Sequence, residues 1–193
     1  MAWRKFKKGK SKKADVQYFA HDLQNNLLNL HAALKNKIFY HSHYYSFYIQ
    51  DPKLRHIHKA TVADRVLHHA IFQVLYPIFD KAFIFDSYSC RTGKGTHRAI
   101  LRFRDFARKA SRNNSRTCFI LKCDIKKFFD SIDHRILISL VKKRIDDEDT
   151  FWLLEKIINS FSVSKNRGIP MGNITSQLFA NIYLNEFDQF VKH

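Results

Sequence analysis

Acidic residues are scarce in this chain of 193. Seventeen Asp and Glu stand against 34 Lys and Arg, a formal net charge of +17. That deficit predicts a polyanionic partner bound in a salt-sensitive way, and nucleic acid is the commonest such partner for so basic a chain. Long hydrophobic runs are missing as well. None approaches the roughly 20 residues needed to span a bilayer, and no signal peptide opens the sequence. A membrane is therefore not the expected partner, and a cytoplasmic setting is. Cysteine is sparse: Cys90, Cys118 and Cys123 form an odd set without metal-ligand spacing and read as reduced thiols. Eleven histidines, among them His41-x-His43, His56-x-His58 and His68-His69, find no Cys or acidic residue to complete a four-ligand zinc pattern. Structural or solvated histidines are expected. No internal repeat is evident. With 45% apolar residues, disorder is excluded over most of the length, and the chain suffices for one compact domain or two small lobes.

The stretch TCFILKCDIKKFFDSID, Thr117 to Asp133, organises the rest. The apolar run Cys118-Phe119-Ile120-Leu121 predicts a buried strand that ends at the carboxylate of Asp124. Asp130, Ser131 and Asp133 then supply helix-start chemistry for HRILISLVKKRI, where Ile136, Leu137, Leu140 and Val141 recur at helical spacing. A carboxylate at such a tip is costly to desolvate without a charged partner or a metal. Magnesium suits it, since that ion is commonly held by one or two carboxylates plus substrate phosphates. The alternative is an Asp that caps a turn.

Upstream, Met1 to Lys13 is rich in Lys and Arg with little apolar periodicity, and reads as a mobile basic arm. Val16, Phe19, Leu23, Leu27, Leu30 and Leu34 predict one amphipathic helix over 15–37. HSHYYSFYIQ and the segment after DPK predict a hairpin, and Thr61 to Phe79 a helix with Val62, Val66, Ile71, Val74, Leu75 and Ile78 buried and Pro77 breaking or kinking its end. SYSCRTGKGTH sets Arg91 and Lys94 beside Gly93 and Gly95, as in a phosphate-cradling loop, but lacks the full Walker pattern. A helix-capping turn is its other reading. His97 to Ala110 predicts a helix with Ile100, Phe103, Phe106 and Ala107 on one face and basic residues elsewhere. Asp146 to Asp149 reads as a turn, and Thr150 to Phe161 as a further helix. In the last block Pro170 and Gly172 predict a turn, with Asn173 capping a helix towards Val191.

Asp124 to Asp133, DIKKFFDSID, resembles the first catalytic motif of bacterial reverse transcriptases, the group that includes group II intron maturases, retrons and diversity-generating retroelements. DPKLRHIHKATVADRVLHHA from Asp51, DSYSCRTGKGTH from Asp86 and GIPMGNITSQLFANIYL from Gly168 agree in order and spacing. The resemblance covers Phe47 to Val191 and is greatest to the diversity-generating type, through Met171-Gly172-Asn173-Ile174-Thr175-Ser176-Gln177. It implies a mixed α/β right-hand polymerase: a basic arm over 1–14, fingers over 15–115 and the first part of a palm over 116–193. It also implies a bacterial or phage-encoded enzyme that adds deoxynucleotides to a DNA or RNA primer on an RNA template, with two Mg2+ ions and a basic accessory protein.

The same resemblance assigns Asp124 as the catalytic metal ligand through its carboxylate and Ile125 as a ligand through its backbone carbonyl. Lys53 and Arg55 take the nucleotide triphosphate or are solvated bases; Arg contributes a bidentate fork and Lys a point charge. Phe129 closes against the sugar and excludes a 2'-hydroxyl, or is a core Phe. Met171 stands where most reverse transcriptases carry Gln, and either bears on error-prone copying opposite adenine or fills a packing gap. Gly172 admits close backbone approach at the base pair. Arg65 ties to nucleic acid or to a neighbouring carboxylate, and Arg91 and Lys94 contact the template. No Tyr-x-Asp-Asp run occurs before His193, nor a thumb. Asp124 alone cannot hold two metals, so the chain by itself is expected to be inactive unless it is a fragment or has a complementing chain. The rival reading is a non-catalytic nucleic-acid-binding polymerase remnant.

Overall fold

The computed structural model describes residues 1–50 and 52–193; Asp51, at the expected turn of the hairpin, lies outside the described residues. In chain order the elements are α1 (Ala2–Lys7), α2 (Ala14–His21), α3 (Leu23–Lys35), β1 (Tyr45–Gln50), β2 (Leu54–Lys59), α4 (Val62–Asp80) and α5 (Thr96–Ala110). There follow α6 (Phe128–Ser131), α7 (His134–Lys142), α8 (Glu148–Ile158) and α9 (Ile174–Lys192).

The basic arm is not free. Within the Lys/Arg-rich start, α1 buries Phe6 to 1% exposure in a small core with Val16, Phe19, Val62 and Val66. Trp3 of α1 packs against the same cluster, and these aromatic rings dock a segment whose composition otherwise reads as solvated. The single helix expected over 15–37 is two. Asp22 leaves helical geometry at φ −118°, ψ 47°; its carboxylate accepts from Asn25 Nδ2 at 2.9 Å, and Asn26 Nδ2 donates to the Phe19 carbonyl at 3.0 Å. Side chains that satisfy the backbone locally offer it an exit from the helix.

Thr61 caps α4 by accepting from the Asp64 amide. Pro77 sits in the last turn and does not end the helix, which runs on to Asp80. Val74 and Ile78, expected inside, are exposed, while Leu67, Leu75 and Phe79 are buried. Asp133 caps α7 by accepting from the Arg135 and Ile136 amides, and Asp147 caps α8 by accepting from Thr150. One hydrophobic core joins the segments expected as fingers and palm: Leu67, Leu75 and Phe79 from α4 pack with Leu137, Leu154, Leu178 and Ile182 from α7, α8 and α9.

The buried strand expected at Cys118–Leu121 is absent. This segment has no regular structure, and Phe119 and Leu121 are 93% and 89% exposed. A strand exists only against another strand, and among the described residues the one sheet is the antiparallel pair β1–β2. Strand-forming composition alone supplies no ladder.

Candidate nucleotide-binding cleft

The cleft lies between the hairpin and the α6 segment, and the block after Gly168 ties its two sides together. Ile169 donates its amide to the Phe129 carbonyl at 3.0 Å, and the His58 amide in β2 donates to the Met171 carbonyl at 2.9 Å. Gly172, at φ +137°, explains why this link tolerates no side chain: a Cβ there would lie 2.9 Å from the His58 carbonyl oxygen. One close approach that Gly172 permits is to the backbone of β2. Gly168 is anchored in turn, donating to the Ile132 carbonyl at 2.9 Å while its own carbonyl meets His134 Nε2 at 2.7 Å.

The resulting cleft, of about 840 Å3, is lined by Arg55, Phe129 and Met171 together with Tyr48, His56, His58, Lys127, Asp130 and Phe161. Three residues assigned to nucleotide binding from three separate sequence blocks thus share one concavity. Lys127 holds a left-handed backbone at φ +52° before α6, a conformation uncommon outside Gly. Burial, then the neighbouring His56, holds His58 below the ordinary imidazole pKa, with Asp130 acting in the opposite sense.

Other assigned residues lie elsewhere. Lys53 is in the exposed turn and does not line the cleft. Asp124 is exposed and Ile125 is 51% exposed, both in the irregular segment before α6. Arg65 takes the carboxylate alternative: Nη2 is 2.5 Å from Asp15 Oδ2, an oxygen that Lys59 shares at 2.7 Å. Arg91, expected at the template, is a structural clamp with a side chain only 7% exposed. It donates to Asp80 Oδ1 (2.7 Å) and to the carbonyls of Ile84 (2.7 Å), Ser87 (3.0 Å) and Asp80 (3.3 Å), which leaves little of its fork for a phosphate. Lys94 donates to the Phe85 carbonyl at 2.7 Å and lies 3.5 Å from the Phe85 ring centroid. This loop organises itself. The residues that sequence reasoning missed are the rings Tyr48, His56, His58 and Phe161; the alternation Ser46-Tyr48-Gln50 against Leu54-His56-His58 carried that signal once the hairpin was assumed.

Behind the cleft a buried polar network joins α4 to α9. His68 Nδ1 meets Thr175 Oγ1 at 2.8 Å, and His68 Nε2 lies 3.1 Å from both Asn173 Nδ2 and His41 Nε2. Tyr44 Oη extends it to Ser160 Oγ at 3.2 Å and Asn173 Nδ2 at 3.2 Å. Asn173, expected to cap α9 with its side chain, serves this network instead. Burial, then His41 and His69, lowers the His68 pKa from 6.5 to about 3. The folded protein then binds fewer protons than the unfolded chain. Stability is full above about pH 6.5 and falls as pH drops towards 3, at up to about 1.4 kcal/mol per pH unit. A lower melting temperature at pH 5 than at pH 7.5 is expected, with a smaller difference in His68→Gln; equal pH sensitivity of the two proteins would contradict it.

A helical core carrying a β-hairpin that overhangs a cleft, in a mixed α/β chain, is the arrangement of polymerase fingers with part of a palm. Along nearly all its length (99%) the chain superposes on 33% of a chain of a "Partial Cas6-RT-Cas1--Cas2 complex", with a TM-score of 0.57 at 19% identity. Residues 49–193 match the family described as reverse transcriptase (RNA-dependent DNA polymerase). The chain belongs to that family. It is 30% identical over 145 residues to Protein YkfC of Escherichia coli (strain K12), covering 72% of this chain and 38% of that protein. It is likewise 30% identical over 145 residues to the group II intron-encoded protein LtrA of Lactococcus lactis subsp. cremoris, covering 72% and 23%. The chain thus spans a quarter to two-fifths of these relatives. Among the described residues no helix is long and apolar enough to cross a membrane.

Proposed function

We propose that this chain carries the nucleotide-selecting part of an RNA-directed DNA polymerase, which adds deoxynucleotides to a DNA or RNA primer on an RNA template. The observation that carries the reading is the convergence of Arg55, Phe129 and Met171 on one cleft, each implicated by a different block of sequence. Arg55 would take the triphosphate, Phe129 would bear on the sugar, and Met171 on the nascent base pair. The donor set for metal is incomplete: among the described residues no group of three His, Cys, Asp or Glu side chains converges. A two-ion Mg2+ site polarises the phosphoryl oxygens and steadies attacking and leaving groups, and this chain offers to it the exposed Asp124 carboxylate and the Ile125 carbonyl. Within this reading the chain's own part is to hold the nucleotide and shape selection. A second reading, a nucleic-acid-binding remnant without catalysis, fits the net charge of +17.

Met171 in the cleft supports the finer assignment to the diversity-generating type. Discrimination changes tenfold for about 1.4 kcal/mol of transition-state energy, so exchanging this one side chain suffices to alter fidelity. In single-nucleotide extension by a preparation that copies RNA, Met171→Gln is expected to change misincorporation opposite template adenine with little effect on sugar choice. An unchanged error spectrum would remove that assignment.

A further inference from the structure

The face of the hairpin turned to the cleft is built of rings. Pairing sets Tyr48 opposite His56 and Ser46 opposite His58, and opposed side chains in an antiparallel pair share a face. Tyr48 and His56 are stacked, with centroids 4.4 Å apart and planes 9° from parallel. His56 meets His58 at 4.3 Å, and His58 meets Phe161 at 4.4 Å, both tilted. Ser46 Oγ lies 2.8 Å from His58 Nδ1 and fixes that ring, while Phe161 rests edge-on against Tyr44 of the buried network at 5.6 Å. The rings therefore form a continuous ladder, anchored at Phe161 against Tyr44 and open at Tyr48, which is 66% exposed.

We propose that this ladder is a stacking platform for an unpaired base of single-stranded template, which lengthens the run at Tyr48. The proposal rests on the polymerase reading in that the cleft is taken to receive nucleic acid. The chemistry favours a base over a protein side chain. The platform consists of π faces with polar edges, and Arg55 and Lys127 line the same cleft. Ring faces beside cations are the combination by which proteins hold single strands irrespective of sequence. Tyrosine adds rigid area with few rotatable bonds, so ordering it against a base costs little entropy.

The test uses the 193-residue chain and short single-stranded RNA carrying 2-aminopurine, without nucleotide or divalent ion, and reads both affinity and the fluorescence quenching that stacking produces. Wild type is expected to quench on binding. Tyr48→Ala is expected to lose the quenching and to bind about tenfold more weakly, the low end for removal of one base-stacking ring. Tyr48→Phe should retain both, because the ring and not the hydroxyl acts. With Tyr48 largely exposed, an unchanged melting temperature of the Ala variant is expected to show that the hairpin is intact. Quenching that survives in Tyr48→Ala while RNA still binds overturns the platform alone. Failure of wild type to bind any RNA overturns the polymerase reading with it. Equal weakening of single-stranded and fully paired RNA, or Tyr48-dependent quenching of a free 2-aminopurine deoxynucleotide at the same affinity, overturns the assignment to an unpaired template base.

Discussion

Asp124→Asn is expected to abolish templated nucleotide addition in any preparation containing this chain that extends a primer, while leaving primer–template affinity within about twofold. The substitution keeps the size of the side chain and removes only its charged oxygen. Asp124 is exposed, so folding does not depend on it. A carboxylate that helps to hold catalytic metal contributes several kcal/mol to the transition state, and about 4 kcal/mol is a thousandfold in rate. Parallel extension and filter-binding assays at saturating Mg2+ measure the two quantities. Near-native extension by Asp124→Asn would remove it from the chemistry.

Phe6→Ala is expected to lower stability by about 3–5 kcal/mol, the range for removal of a fully buried aromatic ring. Phe6 is 1% exposed and meets Trp3 at 5.8 Å and His69 of α4 at 5.7 Å, with Arg65 5.1 Å from its ring centroid. A residue in a mobile arm would change stability by under about 0.5 kcal/mol, so the two accounts differ severalfold. Denaturant unfolding gives the magnitude. Hydrogen exchange gives the location: amides of α1 and α2 should lose protection first, while those of α7 and α8 persist.

The elements that sequence alone resolved are those whose determinants are local. The hairpin follows from composition and alternation, α4 from its apolar run and α7 from the helix-start chemistry at Asp133, whereas α8 starts at Glu148 under the Asp147 cap, inside the stretch read as a turn. What escaped depends on partners distant in the chain. Nothing near Phe6 in sequence reveals that Val16, Phe19, Val62 and Val66 close over it. Cys118–Leu121 has the composition of a strand but no strand beside it. Arg91 has the sign of a phosphate ligand, yet Asp80 and three carbonyls hold it; charge reports affinity for anions, not which anion is nearest.

The candidate site divides the same way. Arg55, Phe129 and Met171 were legible through motif resemblance, and the cleft unites them. The ring ladder was not, because neither His56-x-His58 nor Tyr48 means anything until the register sets them side by side. Gly172 was legible as a position of close approach; which backbone approaches required the fold, since His58 belongs to β2.

The central claim, that this cleft selects nucleotides, is tested most directly by single-nucleotide extension on an RNA template with matched deoxynucleotide and ribonucleotide, comparing wild type with Phe129→Ala. If Phe129 packs against C2' of the incoming sugar, removing its ring opens space without removing a hydrogen bond. Ribonucleotide incorporation should then rise relative to deoxynucleotide incorporation, with base preference unchanged. An unaltered sugar ratio in a variant that remains folded and active would contradict the account and return Phe129 to the core.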